Sequence, residues 1–138
     1  MVTQNDRNLG VIEEFRRNEG MVSGRFEGRP VLLITTTGAK SGQARTAPVM
    51  YLADGERWLI FASTAGAPRN PDWYYNLVAN PEVTIEIGTE TFKGNAAIAD
   101  AGERDTFYAK QVNLYPQFGE YEEKTARKIP VVILTRKP

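Results

Sequence analysis

Asp54-Gly55 stands between two runs, residues 46–53 and 56–63, that are rich in β-branched, aromatic and aliphatic side chains. An Asp-Gly pair in that setting closes a β-hairpin with a two-residue turn, because glycine takes the left-handed backbone such a turn requires. The pairing this predicts sets Tyr51 opposite Trp58 and Val49 opposite Ile60, so one face of the hairpin carries large side chains. The centre of the chain is thereby committed to antiparallel pairing.

The flanking sequence extends the pattern. An apolar run at 31–34, two segments near 83–87 and 91–98 around Gly88-Thr89, and a final run at 129–134 read as further strands. Between them lie helical stretches. Val11, Ile12 and Phe15 share a face of a helix over about 9–18 that ends at Gly20. Asn70 suits a helix N-cap, Pro71 the first helical position, Asp72 the positive end of the dipole, and Asn80-Pro81 the stop. Asp100 with Glu103 forms a capping-box pattern for a helix to about 112. Six short strands, mostly joined by hairpins and interrupted by two or three helices, predict a mainly β fold with α: an antiparallel sheet closed, or nearly closed, into a barrel. There is no βαβ alternation and no G-x-G-x-x-G, which disfavours a Rossmann domain. Residues 1–138 read as one domain, with 1–30 forming the N-terminal helix and an irregular lead-in.

The 138 residues include no histidine and no cysteine. That removes Ser-His-Asp and Cys-His nucleophile systems, the usual zinc sites, and the common haem and iron–sulfur ligands. The acids are dispersed, with no D-x-D-x-D-G array, so no metal site is expected. An enzyme of this composition depends on an organic cofactor for its difficult step. Seventeen cations balance seventeen acids, and no basic stripe with interleaved aromatics appears, so nucleic acid is not an expected partner. No apolar run approaches a membrane span, and the polar residues 1–6 do not read as a signal peptide. These features point to the cytoplasm, leaving peripheral membrane contact and the oligomeric state open.

Immediately after strand 31–34, residues 38–45 read G-A-K-S-G-Q-A-R, with two glycines, two cations, a small hydroxyl and no acid. Glycines at 38 and 42 can turn backbone N–H groups toward one point, while Lys40, Ser41 and Arg45 add charge and a donor, which suits a phosphate or carboxylate guest. No Gly-Lys-Ser/Thr triplet is present and a strand follows, so this is not a P-loop. Taken alone, the octapeptide is equally a solvated connection between strands.

Five blocks in order carry a resemblance: T-T-T-G-A-K-S-G-Q-A-R-T-A-P at 35–48, A-S-T-A-G-A at 62–67, N-P-D-W-Y-Y-N-L at 70–77, A-N-P at 79–81 and Y-P-Q-F-G-E-Y at 115–121. Together they resemble the deazaflavin-dependent nitroreductase family, split-barrel reductases that use coenzyme F-420. The resemblance implies a split β-barrel and hydride transfer from the reduced deazaflavin to a small electron-poor acceptor, namely a quinone, enone or nitroaromatic. It implies that Ala39, Lys40, Ser41 and Arg45 bind the phosphate and oligoglutamate tail. Thr46, Ala47, Pro48, Val49 and Met50, with Phe61, Ala62, Ser63 and Thr64, would line the ring and ribityl chain. Asp72, Trp73, Tyr74, Tyr75 and Asn76 would close over the cofactor, and Tyr115 would mark the acceptor end. The ring needs a flat apolar bed, for which the large-residue face of the hairpin and the small Ala62-Ser63 are available. Ser63 and Tyr115 are candidate hydrogen-bond donors to the developing anion. Tyr115, Phe118 and Tyr121, spaced by three, would form an aromatic wall against the acceptor. Two further readings stay open: an FMN-dependent split-barrel oxidoreductase and a non-catalytic carrier of the deazaflavin.

Overall fold

A computed structural model describes residues 4–138; of the polar start at 1–6, residues 1–3 lie outside it. Six antiparallel strands, β1 (Val31–Thr37), β2 (Ala44–Asp54), β3 (Arg57–Phe61), β4 (Glu82–Ile87), β5 (Glu90–Ile98) and β6 (Val131–Arg136), close into a barrel. Its strand order is β1-β2-β3-β6-β5-β4, with β1 pairing back onto β4. The expected barrel is fully closed. Four helices accompany it, one or two more than the sequence reading: α1 (Gln4–Arg17), α2 (Asp72–Ala79), α3 (Ala101–Leu114) and α4 (Gln117–Lys124).

The continuous apolar runs at 31–34 and 131–134 follow from burial on both strand faces. Leu32, Ile34, Ile60, Val83, Ile85, Val132 and Leu134 fill the barrel, and Leu77 from α2 packs with them. The opposite faces are covered from outside. Ile12 and Phe15 of α1 pack on Val31 and Leu33, while Phe107, Tyr108 and Phe118 of α3 and α4 pack on Leu59, Phe61, Val131 and Ile133. Arg16 of α1 pins the helix to β4 by donating to both carboxylate oxygens of Glu86 at 3.0 and 2.9 Å. At Gly94 the barrel wall bends so tightly that a Cβ would lie 2.7 Å from both Ile85 Cδ1 and the Thr135 carbonyl oxygen, leaving room for glycine alone.

Three local expectations are corrected. The hairpin turn is Gly55-Glu56, with Asp54 paired to Arg57, Ala53 to Trp58 and Tyr51 to Ile60. Gly55, at φ 60°, serves as the first turn residue, and Asp54 instead accepts from Arg57 Nε at 3.1 Å. Secondly, the large-residue face of this hairpin, with Val49, Tyr51, Trp58 and Ile60, points into the barrel and is core. Thirdly, α2 starts at Asp72 with Pro71 as its cap and no side-chain capping bond, because Asn70 is engaged elsewhere. The Asp100 cap of α3 is present as expected, accepting from the Glu103 N–H at 2.8 Å. Among the described residues no helix is long and apolar enough to cross a membrane, and no cluster of acids could hold a metal ion.

Candidate functional site

Side chains on a strand alternate between faces, which divides the predicted β2 residues into two sets. Ala47 and Val49 turn into the barrel, whereas Met50 stands outside, where it meets both the α1 cluster and the α3–α4 cluster. Thr46 lies on the outer face as well, its hydroxyl 2.8 Å from that of Thr35, and Pro48 shares that parity. The outer face of β2 therefore runs from the 38–45 loop at one end to Met50 at the other, with Pro48 buried midway along it. Met50 lies five positions along the strand from Arg45, about 17 Å of extended chain.

The loop is built differently from a nest of open N–H groups. Gly42 has φ 71°, while at Gly38 a Cβ would lie 2.5 Å from Ser41 Oγ and displace that hydroxyl. The N–H of Gly38 donates to the Gln43 carbonyl, that of Gly42 to the Gly38 carbonyl, and that of Gln43 to Ser41 Oγ. The Ala39 N–H donates to Asn76 Oδ1 at 3.0 Å. Of the side chains expected to meet an anion, Lys40 and Arg45 are both exposed and, among the described residues, without a carboxylate partner.

Asn76 explains how the loop is held. It is buried on α2, accepts from Ala39 and donates through Nδ2 to Thr36 Oγ1 at 3.1 Å, locking the helix to the end of β1 and the start of the loop. A polar residue on the buried stripe of a short helix signals such an arrangement, since a buried amide has to be satisfied. Asn76→Ala leaves the Ala39 N–H and the Thr36 hydroxyl unpaired; the expected result is a loss of about 1–3 kcal/mol in stability and faster amide exchange at Ala39. Exchange at Ala39 matching wild type would refute this. The other α2 residues divide. Trp73 and Tyr74 pack against the barrel core, while Asp72 and Tyr75 face outward, with Arg69 3.5 Å from the Asp72 carboxylate and 5.4 Å from the Tyr75 ring centroid.

The Ala62–Ala67 segment lies at the end of β3, where Thr64 and Ala65 adopt left-handed φ of 47° and 52° next to Gly66 at 84°. Left-handed backbone at two non-glycine residues is strained and requires support from outside. Arg127 supplies it. Its guanidinium donates to the Ser63 carbonyl at 2.8 Å, the Ala67 carbonyl at 3.0 Å and Asn70 Oδ1 at 2.6 Å. Burial pulls the Arg127 pKa below its ordinary value. The sequence reading missed this residue, which sits in no motif and lies 57–64 positions from its partners. Thr64 Oγ1 donates to the Arg69 carbonyl, whereas the Ser63 hydroxyl has no partner among the described residues.

Helix α4 lies directly on this segment: a Cβ on Gly66 would sit 3.0 Å from the Tyr121 carbonyl and 3.1 Å from its Cα. Of the expected aromatic wall, Phe118 is buried, stacked edge-on with Phe61, Tyr108 and Tyr121, and supports the wall from behind. Tyr108 anchors it by donating to the Phe118 carbonyl at 2.7 Å, and burial drives the Tyr108 pKa well above the usual phenol value. Tyr115 and Tyr121 remain half-exposed. Beside the loop, between β1 and β4, opens a separate cleft of about 350 Å³, lined by Thr35, Thr36, Thr37, Ala44, Asn80 and Lys93 among others. No aromatic side chain lines it, so it offers no bed for a flat ring.

With this geometry in place, comparison with known proteins is decisive. The family model described as F-420H(2)-dependent quinone reductase matches residues 10–136. This chain belongs to that family. It is 40% identical over 127 residues to an F-420H(2)-dependent quinone reductase of Mycobacterium tuberculosis, covering 89% of this chain and 85% of the relative. A second M. tuberculosis protein, a putative quinone reductase of the same kind, is 36% identical over 76% of this chain and 88% of its own length. Among solved structures, an F-420-H2 dependent reductase superposes with a TM-score of 0.70 at 39% identity, over 77% of this chain and 94% of that one. A chain described as a domain-swapped dimer gives 0.72 at 33% identity, over 91% and 94%. Family membership makes this chain an oxidoreductase with coenzyme F-420 as its cofactor.

Proposed function

We propose that this protein reduces quinones with hydride from coenzyme F-420, using the outer face of β2 as the bed on which the cofactor lies. The observation that carries the reading is the separation along one strand of two unlike ends. Among the described residues Lys40 and Arg45 stand without carboxylate partners at one end, and Met50, Tyr115 and Tyr121 gather in the apolar cluster at the other. A long cofactor with an anionic tail and an apolar ring needs that polarity. The donor set fits it: two free cations and Ser41 for phosphate and carboxylates at an exposed mouth, and small Ala62-Ser63 beside aromatic side chains for the ring.

When bound, the reduced deazaflavin supplies the hydride. This chain's residues hold and orient. Lys40, Ser41 and Arg45 take the tail; Thr46 and Met50 lie beneath the cofactor, with Pro48 buried between them as support; Phe61, Ala62, Ser63 and Thr64 border it. Asp72 and Tyr75 face it from α2, while Trp73, Tyr74 and Asn76 act from below by fixing the barrel end and the loop. Ser63, with its hydroxyl uncommitted, is a donor to the acceptor, and Tyr115 and Tyr121 screen the reacting ring from water.

The test is equilibrium titration with coenzyme F-420 and with FMN, followed by the fluorescence of each cofactor, and then turnover with menadione. Coenzyme F-420 is expected to bind far more tightly, because only its tail carries several anions for Lys40 and Arg45 to engage. FMN binding as tightly or more tightly, or tight binding with no menadione turnover, would overturn the proposal.

A further inference from the structure

The lead-in to β1 places a cation where the proposed function has no assigned part for one. Arg29 is half-buried. Its guanidinium carbon lies 5.5 Å from the Tyr115 ring centroid, and Nη1 approaches Met50 Sδ at 3.9 Å. Neither neighbour is an acceptor of any strength, and among the described residues no carboxylate pairs with Arg29. Elsewhere the shielded arginines are saturated: Arg104 has Asp105, Glu122 and the Ile129 carbonyl, and Arg127 has its three oxygens. A partly desolvated guanidinium keeps unsatisfied N–H donors only at a cost, unless an anion or a polarised oxygen arrives to receive them.

The backbone holds Arg29 in place before anything binds. Its N–H donates to the Phe26 carbonyl at 3.0 Å, and the next carbonyl, that of Pro30, accepts from the Tyr51 N–H at 3.1 Å, where β2 passes. Ser23 donates through its N–H and hydroxyl to the Glu14 carboxylate, at 2.8 Å each, which folds the lead-in back on α1 and holds the Glu14 pKa below the usual carboxylate value. The backbone that carries Arg29 is thus fixed before anything binds, which favours electrostatic stabilisation of a transition state by its side chain.

We infer that Arg29 is a catalytic residue of the acceptor end, donating to the quinone oxygen on which negative charge builds as hydride arrives. This rests on the function proposed above. Hydride uptake brings the quinone two electrons and one hydrogen, converting it to a hydroquinone monoanion while the donor is oxidised by two electrons. The electron pair displaced from the carbonyl π bond comes to rest on oxygen, beside the guanidinium. Arg29 keeps its own protons, and water delivers the second proton that completes the hydroquinone. Met50 and Tyr115 hold the guanidinium from its apolar sides and leave its remaining N–H groups for the acceptor.

Arg29→Gln and Arg29→Lys separate this role from a structural one. In Arg29→Gln, kcat with menadione should fall on the order of a hundredfold, the loss typical of a removed oxyanion donor, with coenzyme F-420 affinity within about twofold of wild type. Arg29→Lys, which keeps the charge but not the fork, should recover part of the rate. A second readout needs no cofactor: 4-nitrophenol bound to wild type should titrate at least about one pH unit lower than free in solution, and this shift should vanish in Arg29→Gln. Unchanged kcat and unchanged 4-nitrophenol titration in Arg29→Gln would overturn the inference, as would a rate loss matched by lost cofactor affinity or a lowered melting temperature. If wild type binds no coenzyme F-420 yet still shifts 4-nitrophenol through Arg29, the proposed function fails while the anion site stands.

Discussion

Replacing Arg127 by alanine is expected to lower Tm by roughly 10 °C and weaken coenzyme F-420 binding by at least about tenfold. Three charge-assisted hydrogen bonds are lost at once, those to Ser63, Ala67 and Asn70. Such bonds contribute about 1.5–3 kcal/mol each when shielded, and partial exposure reduces their sum to about 3 kcal/mol. At about 3 °C per kcal/mol for a chain of this length, that gives the stated fall in Tm. The effect on binding has a separate cause. Thr64 and Ala65 hold left-handed backbone that costs of order 1 kcal/mol each, and release of the clamp lets them relax away from the conformation that borders the proposed cofactor bed. Arg127→Lys should resemble the alanine variant, because one ammonium cannot span three acceptors. Thermal melting together with cofactor titration at 25 °C, where the variant is still folded, checks both parts. A lowered Tm with wild-type affinity would show that Arg127 supports the barrel end without shaping the site.

The barrel was legible because its determinants are local. The Asp54-Gly55 pair lies between β-rich runs, caps and prolines punctuate the helices, and strands read as apolar on one face or, at 31–34 and 131–134, on both. Local signals also set the limit of that reading. A glycine specifies that one turn residue is left-handed, not which of two positions it takes, and so the hairpin register moved to Gly55-Glu56. Asn70 has the chemistry of an N-cap and equally that of an acceptor for an arginine; the choice was made by Arg127, 57 residues away. The same holds within the site. The cationic loop and the aromatic segment were visible as motifs, but Arg29 and Arg127 stand singly in irregular chain, and only closure of the barrel brings Arg29 to Tyr115 or Arg127 to Ser63. Phe118 illustrates the converse. Its spacing of three from Tyr115 and Tyr121 suggested one shared face, yet Tyr115 precedes α4 as the C-cap of α3, so the helical spacing does not extend to it and Phe118 turns to the core.

Removal of the loop cations should weaken cofactor binding without slowing the reaction at saturation. Lys40→Ala and Arg45→Ala each delete a contact between a cation and an anionic group at an exposed mouth, worth about 0.5–1.5 kcal/mol after screening by solvent, on the order of two- to tenfold in Kd. Where the two cations engage different anions of the tail, the losses multiply in the double variant, which would make it the weakest binder of the set. Rising salt should weaken wild-type binding and have little effect on the double variant, because little charge is then left to screen. In the proposed arrangement the hydride step lies about 17 Å along β2 from Arg45, beyond the screening length of about 8–10 Å, so kcat at saturating cofactor should stay within about twofold of wild type. The arrangement at Ala39 sharpens the test. With the backbone N–H groups of Gly38, Ala39, Gly42 and Gln43 already engaged inside the protein, little in the loop can substitute for the missing side chains. Titrations of the two single variants in low salt decide the matter: wild-type affinity in both would reduce the 38–45 loop to a connection between β1 and β2, and the anionic tail would have to be held elsewhere.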